Sequence, residues 1–290
     1  MLNLLQSSPV FFYTVLGILG LLVGSFLNVV IQRLPKMMEN EWREECSRLL
    51  EIPHTDGGRT GKFNLVVPRS RCPYCSHKIT ALENIPVLSY FLLRGKCSEC
   101  RKPISIRYPL IETTSAVIAV FLGIRFGFGA QVSAAILLSW ALLALSVIDF
   151  DRQLLPDDIT IPFLWIGVFI NMFGIFTDVY SSLIGAMAGY GILWVVYILF
   201  KIVTGKEGMG YGDFKLLAML GAWLGWQQLP VIIILSSLCG ALVGTGLMIF
   251  RHHDRSRPLP FGPYLAVAGW ISMLWGSEIS GAYSQWALHP

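Results

Sequence analysis

Charge is scarce in this chain. Only 14% of its 290 residues are Asp, Glu, Lys or Arg, whereas 54% are hydrophobic, and the mean hydropathy is +0.61. A purely water-soluble domain is excluded, because so few charges cannot cover the surface that so much apolar mass would need. Whole classes of motif are missing as well. No G-x-x-x-x-G-K-[ST], no H-E-x-x-H and no G-x-G-x-x-G behind a convincing strand occurs, so nucleotide hydrolysis and zinc-protease chemistry lack their residues. Residues 1–9 carry no Lys or Arg, and no small-residue cleavage site closes the first apolar run, so that run is expected to remain as an anchor.

What is present is a series of apolar runs long enough to cross hydrocarbon, at about 11–31, 108–126, 132–148, 159–176, 181–202, 229–250 and 261–276. An eighth, 214–226, is short. At about 1.5 Å per residue it either thins the bilayer or borrows residues from the glycine-rich loop before it. The expected fold is therefore a polytopic α-helical membrane protein of about eight transmembrane helices with one cytoplasmic insertion between helices 1 and 2. The expected divisions are 1–31 (first helix), 32–107 (insertion) and 108–290 (membrane core).

Residues 33–107 hold fourteen of the twenty-two Lys and Arg, which assigns that stretch to the cytoplasm. With eight alternating spans, Arg152, Lys201, Lys206, Lys215, Arg251, Arg255 and Arg257 fall on the same side, and both termini lie outside. Dropping the short span would put Arg251, Arg255 and Arg257 on the wrong side. The net charge of +4 is this loop asymmetry, a matter of topology rather than a nucleic-acid surface.

Four of the six cysteines are paired along the chain. Cys72-Pro73-Tyr74-Cys75 and Cys97-Ser98-Glu99-Cys100 form C-x2-C…C-x2-C with twenty-one residues between the pairs, which suits two knuckles gripping one tetrahedral zinc. A reducing cytoplasm argues against two disulfides. Four thiolates leave no open coordination position, so the metal is structural. His77 is expected beside the site rather than in it, and Cys46 and Cys239 have no partner in the pattern. Gly57, Gly58 and Gly61 mark turns ahead of 64–68, a short apolar stretch read as a strand or a membrane-docking edge.

The chemistry is expected from two acids. Asp149 is the carboxylate still contiguous with the third apolar run, and Asp213 lies in Gly210-Tyr211-Gly212-Asp213 at the start of the short span. Ionisable groups beside apolar spans are costly, and two on one membrane side point to a site. Gly210 and Gly212 remove side-chain bulk so that a peptide can approach. Amide hydrolysis needs one ionised carboxylate to take a proton from water and one protonated to hold the scissile carbonyl. Asp213, at a helix start beside Lys215, is expected to lean towards base; Asp149, at a helix end, towards acid. Asp157 and Asp158 are expected to cap the fourth span, with Asp151 a solvated partner of Arg152. Glu112, four residues into the second span, stands out as an acid expected to snorkel to the interface or to pair with a basic neighbour.

With these residues in place, the chain resembles the type IV prepilin peptidases, GxGD-type aspartic proteases of bacterial inner membranes that also act as N-methyltransferases. The landmarks are Gly24-Ser25-Phe26-Leu27-Asn28-Val29-Val30-Ile31-Gln32-Arg33-Leu34-Pro35, both Cys pairs, Asp149 with Leu154-Leu155-Pro156-Asp157, Gly210-Tyr211-Gly212-Asp213 and Pro260-Phe261-Gly262-Pro263. The resemblance implies cleavage of prepilins and type II secretion pseudopilins after a glycine, at the cytoplasmic end of their N-terminal helix. It also implies methylation of the new N-terminus from S-adenosylmethionine in the soluble insertion, where Gly95 is the candidate for close backbone approach to that cofactor. Membrane lipid is the surrounding solvent and no nucleic acid is involved.

Two other readings use the same residues. An ion-coupled transporter also has intramembrane carboxylates and a glycine-interrupted helix, but it calls for polar residues deep in several spans. A membrane scaffold with a zinc interaction module would leave the aspartates as helix caps. Cleavage of a prepilin-like peptide separates both from the enzyme.

Overall fold

The computed structural model describes residues 6–51, 63–251 and 260–288; Gly57, Gly58, Gly61, Arg255 and Arg257 lie outside them. Helices are α1 (Pro9–Leu49), α2 (Leu88–Leu92), α3 (Arg107–Phe126), α4 (Ala130–Arg152), α5 (Asp157–Asn171), α6 (Val179–Thr204), α7 (Tyr211–Leu224), α8 (Leu229–Arg251) and α9 (Gly262–Leu288). Among the described residues there is no sheet, only two isolated bridges. Helices α1, α3, α4 and α6, and a segment Trp226–Gly246 containing most of α8, are long and apolar enough to cross a membrane. The protein is a helical membrane protein. Each of the eight apolar runs carries a helix, but α5 and α7 are short and α9 is interrupted by polar and small residues.

The chain divides into two compact units, Met1–Val132 and Ser133–Pro290. The first is built on α1 against α3. Small residues make that crossing close: a methyl on Gly24 would lie 2.6 Å from Glu112 Cα, and one on Gly20 would lie 2.5 Å from Ala116 Cα. Without a hydrophobic drive between helices in lipid, such backbone approach is what holds them together. Ser115 Oγ donates to Gly20 O at 2.6 Å and Asn28 Nδ2 to Tyr108 O at 3.1 Å, pinning the register. Helix α1 does not stop at Ile31. It continues through Pro35 to Leu49, so the first span and the start of the insertion are one rod. The 64–68 stretch forms no strand: Arg33 grips the carbonyls of Asn64, Leu65 and Pro68, and Asn64 Oδ1 accepts from the amides of Val66 and Val67.

The second unit is organised around α7. Apart from Tyr211, Gly212 and Lys215, every residue of this helix is buried, and it is packed by α5, α6, α8 and α9. The short run starts as a helix inside the glycine motif, at Tyr211, and at 14 residues it is surrounded by protein and is not among the helices long enough to cross a membrane. Backbone-to-backbone packing again carries the crossing, because a methyl on Gly189 would lie 2.6 Å from Leu217 O, and Gly185 and Gly221 abut with no room for a side chain on either. Asn171 donates to the carbonyls of Ala222 and Trp223, satisfying the end of α7 that would otherwise be bare.

Candidate active site and metal centre

Asp149 sits one turn from the end of α4, and Asp213 sits in the first turn of α7. Both are buried, at 5% and 7% exposure, and they lie close enough for the charge of Asp149 to act on Asp213. The amide of Gly262, first residue of α9, donates to Asp149 Oδ2 at 2.9 Å, and the Gly210 backbone hydrogen-bonds Asp213. Leu155 ties the parts together. A methyl on Gly212 would lie 2.8 Å from Leu155 Cβ, and one on Gly262 would lie 2.6 Å from Asp149 Oδ2 and 3.3 Å from Leu155 Cδ1. Three helix ends and the Leu154-Leu155-Pro156 turn thus converge on two carboxyls.

The glycines work by space, not by torsion. Gly210 is the N-cap of α7 at φ −79° and ψ 148°, and neither it nor Gly212 has positive φ. Of the grounds for ranking the acids, the helix positions of Asp213 and Asp149 stand, while Lys215 is turned elsewhere. Lys215 Nζ is held by Asp157 at 2.6 and 2.7 Å, clamping the start of α5 to α7, and Pro156 rather than Asp157 is the N-cap of α5. Asp149 is at the end of one helix and on the first amide of another. The sequence offered no signal for the Gly262 contact beyond the glycine itself, 113 positions away along the chain.

The four paired cysteines come together. Their sulfurs all lie within 4.8 Å of one another, with Cys72 to Cys100 at 3.8 Å and Cys75 to Cys97 at 3.9 Å. A tetrahedron with metal–sulfur bonds of about 2.3 Å has edges of about 3.8 Å, so the set fits a metal and is far from disulfide contact. The two knuckles repeat each other. Cys72 N donates to His77 O and Ser76 N to Cys72 O; Cys97 N donates to Lys102 O and Arg101 N to Cys97 O. Ser76 and Arg101 take the same left-handed turn, at φ 60° and 55°. His77 is outside the sulfur set and links the knuckles, facing Glu99 at 2.7 Å and Glu83 at 3.3 Å. Glu83 also accepts from Ser98 Oγ and from the Thr80 amide and hydroxyl, which together hold its carboxyl down to about 2.

Glu112 is buried on α3, where Val87 N donates to it at 2.8 Å. Gly95 is left-handed, at φ +67°, and its open face is covered by the Tyr90 ring, 3.0 Å from where a methyl would stand.

Two family models cover most of the chain: the bacterial peptidase A24 N-terminal domain over residues 18–126, and the type IV leader peptidase family over residues 136–245. This chain belongs to the type IV leader peptidase family. Among curated relatives, the prepilin leader peptidase/N-methyltransferase of Stutzerimonas stutzeri is 53% identical over 98% of this chain and 97% of its own length. Those of Aeromonas hydrophila and Pseudomonas aeruginosa are each 52% identical, over 98% and 99% of this chain and 97% and 98% of theirs. No solved structure matches. The boundary between the two family models falls where the compact units divide, so the family's two parts coincide with the helix pair bearing the cysteines and the bundle bearing the aspartates.

Proposed function

We propose that this member of the leader peptidase family cleaves the basic leader from type IV prepilins and type II secretion pseudopilins at the cytoplasmic face of the bacterial inner membrane, then N-methylates the new N-terminus. Asp149 and Asp213 are the catalytic residues. The observation that carries this reading is that two buried carboxyls, the only buried charged side chains among the described residues of their unit, share one wall of Gly210, Gly212, Gly262 and Leu155. Two carboxyls that feel each other's charge do not ionise independently, and the singly protonated pair is the form that hydrolyses amides. The ionised member takes a proton from water, the water oxygen attacks the scissile carbonyl, and the protonated member hydrogen-bonds the carbonyl oxygen as charge develops. Departure of the amine with a proton returned from the pair completes the cycle. Glycines at 210 and 212 leave room for an extended substrate backbone.

The cysteine set holds a structural zinc, which fixes the two knuckles and the surfaces hung from them. S-adenosylmethionine supplies the methyl group for the second reaction. Gly95 is the position for close backbone approach to that cofactor, with the Tyr90 ring beside it, 3.0 Å from where a methyl would stand. The cytoplasmic placement of the insertion and of both aspartates, with periplasmic termini, is supported by the concentration of Lys and Arg in residues 33–107.

Mass spectrometry of a co-expressed prepilin tests both activities at once. The expected product has lost its leader and gained one methyl group on its N-terminus. A full-length, unmethylated prepilin recovered with well-expressed enzyme would overturn the reading.

A further inference from the structure

Within the first unit, the knuckles, α2, the middle of α1 and the start of α3 line a cavity of about 570 Å³. That is within the roughly 300–1,000 Å³ of small-molecule sites. Asn28 and Gln32 of α1, Tyr90 of α2, and Tyr108 and Glu112 of α3 contribute to its wall. Glu112 is the unusual member. It is 8% exposed, its hydrogen bonds come from the neutral Val87 amide and the Ser25 hydroxyl, and no cationic side chain among the described residues pairs with it. Of the basic groups that also line the cavity, Arg33 is spent on three carbonyls, Lys102 lies 4.3 Å from the Tyr74 ring, His77 faces Glu83 and Glu99, and Arg71 is exposed to solvent. Val87 presents its amide to Glu112 from φ 60°, a conformation that β-branched residues avoid and that packing must impose.

Resting on the methyltransferase reading above, we infer that this cavity binds the sulfonium methyl donor, with Glu112 as counter-charge to the donor's cationic end. A buried carboxylate with only neutral donors is incompletely compensated, and a ligand that brings its own positive charge supplies what the wall lacks. The donor carries that charge on its sulfonium and its α-ammonium, and its adenine is a flat aromatic group. Tyrosine rings suit both, stacking on the base and offering π-faces to the cation. The cavity also explains a structural zinc. Cys72 and Cys97 lie in its wall, so the metal fixes the shape of a binding site without taking part in chemistry. Glu112 here is a binding residue, placed by the same close α1–α3 crossing that leaves Gly24 no room for a side chain.

The test is calorimetric titration of the purified, zinc-loaded full chain with S-adenosylmethionine and with 5′-methylthioadenosine, which keeps the adenosine but lacks both charges. Glu112→Gln is expected to weaken the sulfonium ligand by on the order of 10- to 100-fold, the loss of a charged hydrogen-bonded contact, and to leave methylthioadenosine within about twofold. Unchanged S-adenosylmethionine affinity in that variant overturns the inference. Because the substitution can disturb the fold, the wild-type chain is also photolabelled with an 8-azidoadenosyl analogue of the donor. Label on peptides bearing Tyr90 or Tyr108 supports the cavity, and label confined to other segments overturns it. Donor binding with label elsewhere removes only this site, whereas absence of any donor binding by the wild type removes the methyltransferase reading itself.

Discussion

Each unit of this protein buries acid at a glycine-tight helix crossing, and the two differ in number. In the second unit Asp149 and Asp213 sit together, each met by a glycine backbone, with Leu155 and close-packed helices around them. In the first, Glu112 is alone, met by the Val87 amide, beside a cavity walled by tyrosines and polar side chains. Both arrangements use a backbone amide because it can be placed in an apolar setting without adding a compensating ion. The difference lies in what the acids can do. A pair can share a proton and so present an acid and a base to one water; a single carboxylate with neutral donors can only be neutral or await a cation. On the function proposed above, hydrolysis belongs to the pair and recognition of a positive ligand to the singleton.

The sharpest way to break that comparison is to take one acid from the pair. Asp149→Asn and Asp213→Asn are each expected to reduce leader cleavage by roughly 100- to 10,000-fold, since neither amide can donate or accept the proton that the reaction moves. Methylation of a synthetic peptide that begins at the mature N-terminus is expected to survive, because it depends on the other unit. Parallel mass spectrometry of both substrates reads the two rates. Loss of both activities together in a folded variant would mean that the units do not divide the chemistry.

The next largest effect is expected at the metal. Cys72→Ser, or removal of metal by chelator, is expected to unfold the knuckles and cut methylation at least about tenfold more than cleavage, because in such modules metal binding is folding energy. Metal content by plasma mass spectrometry, limited proteolysis of the insertion and the two activity assays give the answer. Equal insensitivity of both reactions would count against a structural metal.

The eight apolar runs, the knuckle spacing and the two aspartates were readable from local pattern, since hydrophobic periods and C-x2-C pairs are written over a few neighbouring residues. What surrounds the aspartates was not. The sequence places Lys215 beside Asp213, but the folded chain gives it to Asp157, 58 positions away, because the turn into α5 lies across the face of α7. Asp149 reads as a carboxylate at a helix C-terminus, yet in the fold it also receives the first amide of α9. The clearance expected of the glycine motif is there at Gly212, but what fills it is Leu155, a side chain from another loop. The continuous rod through Pro35 likewise reflects tertiary support, since a proline inside a helix gives up a hydrogen bond that local sequence would count as a stop.

Clearance itself can be tested without touching either acid. Gly262→Ala puts a methyl 2.6 Å from Asp149 Oδ2, too near for any real contact, so the carboxyl or the start of α9 must move. A displacement of that size at reacting groups is expected to slow cleavage on the order of 10- to 100-fold, with methylation of the pre-cleaved peptide unchanged. Undiminished cleavage in Gly262→Ala would mean that the Asp149–Gly262 contact is not part of the working site.

The smallest effect concerns Glu83, which contrasts with the buried acids because ordinary hydrogen bonds hold it ionised at a partly exposed site. The Ser98 hydroxyl, then the Thr80 amide and hydroxyl, keep its carboxyl down to about 2, against about 4.3 for a free glutamate. The unfolded chain therefore binds the proton more readily than the folded one. The stabilisation from Glu83 is full above the unfolded value and is lost as pH falls towards about 2. Glu83→Gln is accordingly expected to melt slightly below the wild type at neutral pH, with the gap narrowing once the pH drops below about 4.5. Comparing the two proteins at each pH cancels acid effects common to both, including release of metal from the thiolates. A gap that stays constant across that range would assign the cost of the substitution to shape rather than charge, and would remove Glu83 from the ionised groups that tie one knuckle to the other.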